Sequence, residues 1–229
     1  MKILLLANKS PWPAKDGGSA ATAAMISGLT TAGAALTVVA FNTIKHFTDI
    51  NLIPEDFKNK SNLRLVTLDT QINPVKLIRN LILSDKPLTL ERFESEEFKK
   101  VLSEVLRNKF DIVQVEGLSL TCYISYLRQS TSSKIVFRPH NIESKIWDQL
   151  IMEERNILKK LYWHILAGRT KKFEKNIMND FDAVIPISPV DRDWFISSGL
   201  KKPCRVIPPG LTEVNKINPN PCPQTVCFI

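Results

Sequence analysis

The chain has 229 residues, of which 44% are hydrophobic and 24% charged, and its formal net charge is +8. That apolar content can form one large core and excludes a chain that is disordered by composition, while the positive charge favours an anionic partner. The apolar runs are too short to span a bilayer or to act as a signal peptide, so a cytoplasmic protein is expected.

Seven short runs rich in Val, Ile and Leu follow one another without the alternation of half-exposed strands. Such runs are typical of strands that are buried on both faces of a parallel sheet. They span Lys2–Ala7, Leu36–Phe41, Leu63–Leu68, Asp111–Val115, Lys134–Phe137, Ala183–Ile187 and Arg205–Ile207. Because helical patterns separate them, the predicted fold class is α/β, with a Rossmann-like, doubly wound and mostly parallel sheet.

The first predicted helix, Gly18–Ala32, carries small residues on one face, which lets it lie close to the sheet. That face consists of Ala21, Ala24, Met25, Gly28, Leu29 and Ala32. Another helix is predicted to begin after Asn73, which acts as its N-cap, and three more are predicted over about Leu90–Arg107, Lys145–Ile157 and Leu161–Ile177. The last predicted helix begins at Pro189, with Ser188 as its N-cap and Gly199 as its C-cap.

The composition changes after the last predicted strand. Residues 1–207 form the predicted Rossmann-like domain, and residues 208–224 are rich in Pro and Asn, which predicts a linker. Residues 225–229 read TVCFI and resemble the start of a further buried strand. The expectation is a chain truncated or interrupted one strand into a second domain.

The four cysteines do not indicate a metal site. Cys122, Cys204, Cys222 and Cys227 form no Cys-x-x-Cys pair, and no histidine lies near the last three. Reduced, partly buried thiols are expected and no metal is predicted. Nucleic acid is also excluded as an expected partner, because the basic helices lack an aromatic stacking platform.

Two adjacent glycines stand between the first strand and the first helix, in SPWPAKDGGSAATAA (10–24). Their spacing differs from that of a dinucleotide-binding fingerprint and of a P-loop. Free backbone N–H groups at a helix N-terminus favour a phosphate or a sugar hydroxyl, so Asp16, Gly17, Gly18 and Ser19 are candidate substrate-binding residues. A plain turn that starts a helix explains the pattern equally well.

Two further groups follow predicted strands, at the edge where open parallel sheets bind ligands. Arg138, His140 and Asn141 follow the fifth strand in IVFRPHNIES, and Glu116 ends the fourth in DIVQVEG. His140 can donate a hydrogen bond to a substrate hydroxyl or phosphate, and Glu116 can accept from hydroxyls or orient His140. From the residues alone, a purely structural role is about as well supported as a ligand-binding role for each of these residues.

Five segments in this order resemble the N-terminal half of glycosyltransferase family 4, the group 1 glycosyltransferases of GT-B fold. They are PWPAKDGGS, DIVQVEG, VFRPHNIES, FDAVIPISPVDRDWF and RVIPPGL, and together they extend over nearly the whole chain. HNIES followed by a long basic helix is most similar to the bacterial members that act in polysaccharide or glycolipid assembly.

The resemblance implies the acceptor-binding half of a retaining glycosyltransferase of the hexosyltransferase type. Such an enzyme moves a sugar from a nucleotide-diphosphate sugar to a glycan or lipid-linked acceptor, usually without a metal ion, and no cofactor is expected. By the same resemblance Gly17 and Gly18 face the donor phosphates and the acceptor, and His140, the expected catalytic residue, lies near the transferred sugar.

The resemblance also carries expectations about partners. Only VCFI matches the donor-binding half, so the chain by itself is expected to be inactive. The basic surface and the stretch PVKLIRNLIL suit an acceptor at the inner face of the membrane, with a peripheral membrane contact. Two alternatives stay open: a non-catalytic module that binds a glycan or a protein, and another GT-B enzyme such as a nucleotide-sugar epimerase.

Overall fold

The computed structural model describes residues 1–71, Asn80 and residues 84–210. This part of the chain contains a six-stranded sheet. Its strands are β1 (Lys2–Ala7), β2 (Ala35–Thr43), β3 (Leu63–Leu68), β4 (Ile112–Glu116), β5 (Lys134–Arg138) and β6 (Ala183–Val184). All neighbouring strands are parallel, in the order β3-β2-β1-β4-β5-β6. This is the doubly wound order of a Rossmann sheet, and the direction of winding reverses between β1 and β4.

Helices connect the strands. Those described are α1 (Gly17–Thr31), α2 (Glu55–Ser61), α3 (Leu88–Glu91), α4 (Glu96–Val105), α5 (Ile124–Ser130), α6 (Glu143–Glu153), α7 (Ile157–Ile177) and α8 (Pro189–Ser197). Helices α6 and α7 pack against each other as a hairpin that leaves the sheet after β5 and returns to β6. The described helices are all too short or too polar to cross a membrane.

The core lies on both faces of the sheet. Along β1, Leu4 and Leu6 belong to one cluster of buried residues, while Ile3, Leu5 and Ala7 belong to the other. The prediction of strands buried on both faces is therefore confirmed for β1, while β3 at the edge of the sheet leaves Arg64 and Thr67 exposed. It succeeded because a continuous apolar run is favourable only where helices cover both sides of a sheet.

The sheet differs from the prediction at its far edge. Strand β6 ends at Val184, and the predicted strand Arg205–Ile207 is not formed. An isolated bridge pairs Val184 with Cys204 just before it. Prolines explain the difference, because Pro186 and Pro203 have no backbone N–H that could donate a hydrogen bond to the neighbouring strand. The two segments still run side by side, with the N–H of Arg205 donating to the carbonyl of Val184 at 3.2 Å.

Two helices also differ from their predictions, one in its buried face and the other in its extent. Helix α1 buries Ala21 and Ala24 as expected, but it leaves Gly28 and Ala32 exposed and turns Thr22 inward instead. The predicted helix Leu90–Arg107 is divided into α3 and α4, because the side chain of Ser95 accepts from the N–H of Phe98 and begins a new helix.

The capping prediction at α8 is confirmed. The hydroxyl of Ser188 accepts from the N–H of Asp191 at 3.1 Å, and Gly199 beyond the helix has a φ of +98°. Cys122 and Cys204 are free and half-buried. The predicted helix from Asn73, apart from Asn80, lies outside the described residues, and so do linker residues 211–224 and residues 225–229.

Candidate active site

The candidate residues meet at the carboxyl edge of the sheet, around the point where the winding reverses. Glu116 is the last residue of β4 and Arg138 the last residue of β5, and the strand register places them side by side. The glycine loop follows β1 on the other side of this point. Open α/β sheets bind ligands at this point, in the crevice outside the carboxyl ends of the strands where the winding reverses.

Glu116 is the centre of a buried polar cluster. One of its carboxylate oxygens, Oε2, accepts from Nη1 of Arg138 at 2.8 Å and from Nε2 of His140 at 2.5 Å. The other, Oε1, accepts from the side-chain amide of Gln114 at 2.5 Å. The hydroxyl of Thr22 on α1 completes the shell at 3.4 Å from Oε2. Strands β4 and β5 and helix α1 therefore converge on one carboxylate.

The charge of Glu116 is stabilised by its neighbours. Burial by itself would raise the pKa of this carboxyl group. The hydrogen bond from His140, the charges of Arg138 and His140 and the hydrogen bond from Gln114 outweigh that effect, so the pKa of Glu116 lies below its ordinary value. Glu116 is an anion at neutral pH although its side chain is 0% exposed.

The exposed member of the cluster is His140. Its side chain is 15% exposed, against 0% for Glu116 and 1% for Arg138. An ionised carboxylate only accepts hydrogen bonds, so Nε2 of His140 carries a proton and donates it to Glu116 in a hydrogen bond. The ring is thereby held in one orientation, with Nδ1 as its remaining polar atom. Glu116 and Arg138 fix a histidine that can contact a ligand in the crevice.

Gly117 lets the chain leave β4 beside this cluster. Its φ is +79°, which favours glycine, and its N–H donates to the carbonyl of Arg138 at 2.9 Å. A Cβ at this position would lie 3.6 Å from the side-chain amide of Asn8, the residue that follows β1. Strands β1, β4 and β5 therefore end close together.

The glycine loop begins α1 with a capping box. The carboxylate of Asp16 accepts from the N–H of Ser19 at 3.0 Å, and the hydroxyl of Ser19 accepts from the N–H of Asp16 at 3.1 Å. Lys9 forms an ion pair with Asp16 at 2.6 Å. Partial burial opposes ionisation, but the Lys9 contacts and the Ser19 hydrogen bonds lower the pKa of Asp16 to about 2. Asp16 and Ser19 thus stabilise the helix start.

The fold does not require glycine at Gly17 or Gly18. Neither has a positive φ. A Cβ at Gly17 would meet no atom within 4 Å, and a Cβ at Gly18 would meet the flexible end of Lys9 at 3.1 Å. Backbone N–H groups at a helix start that has no side chain beside them can admit an anion, which the helix dipole also favours.

Of the predicted site residues, Glu116, Arg138 and His140 contact one another directly. Gly18 is linked to them through Thr22, whose hydroxyl lies 3.1 Å from the Gly18 carbonyl. Asn141 is exposed next to His140, while Asp16, Ser19 and Gly17 form the helix start described above.

Sequence reasoning missed the polar groups that complete the shell. Gln114 is the one polar side chain between apolar neighbours in DIVQVE, and Thr22 is a hydroxyl on an alanine-rich helix. Both are nearly fully buried. The sequence did contain a signal for both residues, since each is a lone polar residue at a position where the hydrophobic pattern predicts an apolar one. A buried polar group needs a hydrogen-bond partner, so such a residue indicates a polar neighbour in the fold.

A second buried carboxylate fixes the segment that follows His140. Glu174 on α7 is 3% exposed, and it accepts from the N–H groups of Glu143 at 2.7 Å and Ser144 at 3.2 Å. Burial raises the pKa of Glu174 to about 7, although these hydrogen bonds oppose the rise. The start of α6 is thereby tied to α7, which limits the freedom of the loop that carries His140.

Comparison with solved structures defines the class of the fold. Sucrose-phosphate synthase from Thermosynechococcus elongatus superposes with a TM-score of 0.57 at 14% identity, covering 91% of this chain and 48% of that one. Phytolacca americana UGT2, complexed with UDP-2fluoro-glucose and pterostilbene, superposes with a TM-score of 0.51 at 10% identity, covering 93% and 55%. At these identities the likeness shows the fold alone, a Rossmann-like α/β domain that corresponds to one half of a GT-B fold.

The sequence itself gives the family. The model of Glycosyltransferase Family 4 matches residues 16–213, and the chain belongs to that family. No curated protein sequence matches it significantly. The chain spans about half the length of these two solved structures.

Proposed function

We propose that this chain is the acceptor-binding half of a retaining glycosyltransferase of the hexosyltransferase type. The enzyme would transfer a sugar from a nucleotide-diphosphate sugar to a glycan or lipid-linked acceptor. The observation that carries the proposal is the Glu116–Arg138–His140 cluster at the winding reversal of a family 4 fold. The nucleotide-sugar ligand is supported by UGT2, which was solved with UDP-2fluoro-glucose.

The proposed mechanism is one of position and charge. His140, held by Glu116, binds the sugar at the reacting centre, and the backbone N–H groups at Gly17 and Gly18 stabilise the departing nucleotide diphosphate. No cofactor or metal is proposed. Within residues 1–71, 80 and 84–210, no three His, Cys, Asp or Glu side chains are grouped as metal ligands.

A cleft for the donor needs two walls, and this domain supplies one. The chain alone is therefore expected to show transfer at background level. A two-domain protein, in which this chain is joined to a donor-binding domain, should release nucleoside diphosphate together with a glycosylated acceptor of retained anomeric configuration. Nucleotide release without sugar transfer would favour the epimerase alternative. Glycan binding without turnover would favour the binding module.

The glycine loop can be tested in the same assay. Gly17→Val and Gly18→Val should change the free energy of unfolding by less than about 1 kcal/mol, because there is room for the side chain or a flexible neighbour that can move. Turnover should fall at least tenfold, because the new side chain covers the N–H groups. Gly28→Val in the same helix, where a Cβ also meets nothing within 4 Å, is the matched control. Turnover equal to that of the control would mean that the loop is only a turn.

A place at the inner membrane face is proposed from the outer surface of α7. The side chains of Ile157, Leu158 and Leu161 are 82%, 78% and 59% exposed. Of the seven charged residues in α7, six are Lys or Arg, and the one acid, Glu174, is buried. Exposed apolar side chains beside basic ones fit an anionic lipid surface.

Vesicle co-sedimentation tests this contact. The chain should bind vesicles of phosphatidylglycerol and not of phosphatidylcholine. Ile157→Asn/Leu158→Asn should weaken binding at least fivefold, because two apolar side chains leave the interface. Val190→Asn/Ile196→Asn removes two exposed apolar residues on α8 and is the control. Equal loss in both double variants, or self-association through α7 in place of lipid binding, would contradict the proposal.

A further inference from the structure

A pocket of about 690 Å³ lies beside the cluster, at the carboxyl ends of β1, β2 and β3. It lies between the residues after β1, the turn after β2 and the end of α3. Its polar lining includes Asn8, Lys9, Thr43, Lys45, His46 and Arg92. Among the described residues that line it, none is acidic. Three permanent cations and no carboxylate in the lining favour a positive potential in this pocket.

Two buried polar atoms in this lining lack a hydrogen-bond partner among the described residues. They are Nε of Arg92 and Oγ1 of Thr43. Thr43 is 4% exposed, so water replaces its missing partner poorly. A buried donor without an acceptor costs free energy, and both atoms can donate.

The charge of Arg92 is also incompletely compensated. Burial lowers the pKa of its guanidinium group, and the nearby carboxylate of Glu143 opposes this only in part. Lys9, by contrast, is already paired with Asp16. Arg92 is thus the cation of this pocket that gains most from an added anion.

The pocket is continuous with the candidate active site. Asn8 in its lining lies against Gly117, and Lys9 lies against Gly18. Glu143 interacts electrostatically with both Arg92 and His140. A molecule in the pocket would therefore be next to the crevice in which His140 is exposed.

We propose that this pocket binds an oxyanion, a phosphate or carboxylate group, carried by the acceptor. Nε of Arg92 and the hydroxyl of Thr43 donate to the oxyanion, and Lys45 adds positive charge at the exposed rim. The description of the ligand as the acceptor rests on the proposed function, whereas the anion site itself does not. A neutral sugar would satisfy the two donors but would add no negative charge to complete the partial compensation of Arg92 by Glu143.

Calorimetric titration of the chain in phosphate-free buffer at constant ionic strength tests the site. The probes are inorganic phosphate, a hexose 6-phosphate, a hexuronate and the neutral hexose. Saturable binding of the oxyanions is expected, with no binding of the hexose. Tighter binding of the hexose phosphate than of phosphate would point to a phosphorylated acceptor, and preference for the hexuronate would point to an acidic sugar.

Variants separate the site from general electrostatics. Arg92→Gln should weaken oxyanion binding at least tenfold, and Thr43→Val, which keeps the shape of the side chain, about threefold. Arg107→Gln removes the same charge at an exposed position at the end of α4 and should leave binding unchanged. Melting curves identify any variant that has lost its fold, and Thr43→Val keeps the test valid if Arg92→Gln does not fold.

The proposal would be overturned if no oxyanion binds saturably, or if Arg92→Gln and Arg107→Gln bind alike. Either result leaves the proposed function standing if the two-domain protein transfers sugar to a neutral acceptor. Saturable anion binding in a protein that never turns over a nucleotide sugar would instead keep the pocket and reject the transferase.

Discussion

His140→Ala should lower the turnover of the two-domain protein by about 100-fold or more. His140 is the one member of the buried cluster that reaches the crevice, and its ring is already held by Glu116. A preoriented polar group that contacts the sugar at the proposed reacting centre contributes about 10²–10³ in rate when it acts only in the transition state. The measurement is steady-state release of nucleoside diphosphate with saturating donor and acceptor.

His164→Ala is the matched control for this substitution. His164 lies on the exposed surface of α7, so its loss should leave turnover unchanged. Measuring the unfolding midpoint of both variants separates an effect on chemistry from one on folding. Turnover of His140→Ala at the level of the His164 control would show that His140 is only structural.

Glu116→Gln should lower the free energy of unfolding of this chain by about 3–5 kcal/mol. The substitution removes the anion that faces Arg138, whose side chain is 1% exposed, and leaves a buried cation unpaired. It also places an amide donor against groups that already donate, namely Arg138, His140 and Gln114. Urea unfolding of the purified chain at pH 7 is the measurement.

The effect should depend on pH in a defined direction. The pKa of Glu116 in the folded protein lies below its ordinary value of 4.5. Its contribution to stability is therefore complete above the ordinary pKa and is lost as the pH falls through the lower, folded value. The difference between wild type and Glu116→Gln should be full at pH 7 and should decrease in acid.

Glu153→Gln, at an exposed position near the end of α6, is the control and should change stability by less than about 0.5 kcal/mol. Glu116→Gln/Arg138→Gln should be less destabilised than the sum of the two single variants, because the second substitution removes the unpaired charge. Additive losses, or a loss in Glu116→Gln no larger than in Glu153→Gln, would contradict a buried ion pair.

Comparison of individual predicted strands with the observed ones shows which features of the fold the local sequence pattern determines. Strands β1 and β3 were predicted with their observed bounds. In β1 the apolar run is buried on both faces and its ends are marked in the sequence, whereas β3 at the edge of the sheet leaves Arg64 and Thr67 exposed. The far edge of the sheet was predicted less well. The hydrophobic pattern counts Ile185 and Val206 as strand-forming apolar residues, but it does not show that the neighbouring prolines lack the N–H groups needed for hydrogen bonds between strands.

The site shows the same limit. Glu116 and His140 were identified because they follow strands, which is a local property. Thr22 was missed, and it reaches Glu116 from 94 residues away along the chain. Arg92 was also missed, because inside a predicted helix an arginine has nothing to distinguish it from a solvated one.

The sequence by itself determined the α/β class, the family resemblance and the strand ends at which a site would lie, because hydrophobic runs and glycine or proline positions act over short distances. Only the tertiary structure decided that Glu116 is a buried anion shared by Arg138 and His140, and that His140 is the member left exposed. Those facts depend on the register of β5 beside β4 and on the inward face of α1, and neither is encoded within any one segment.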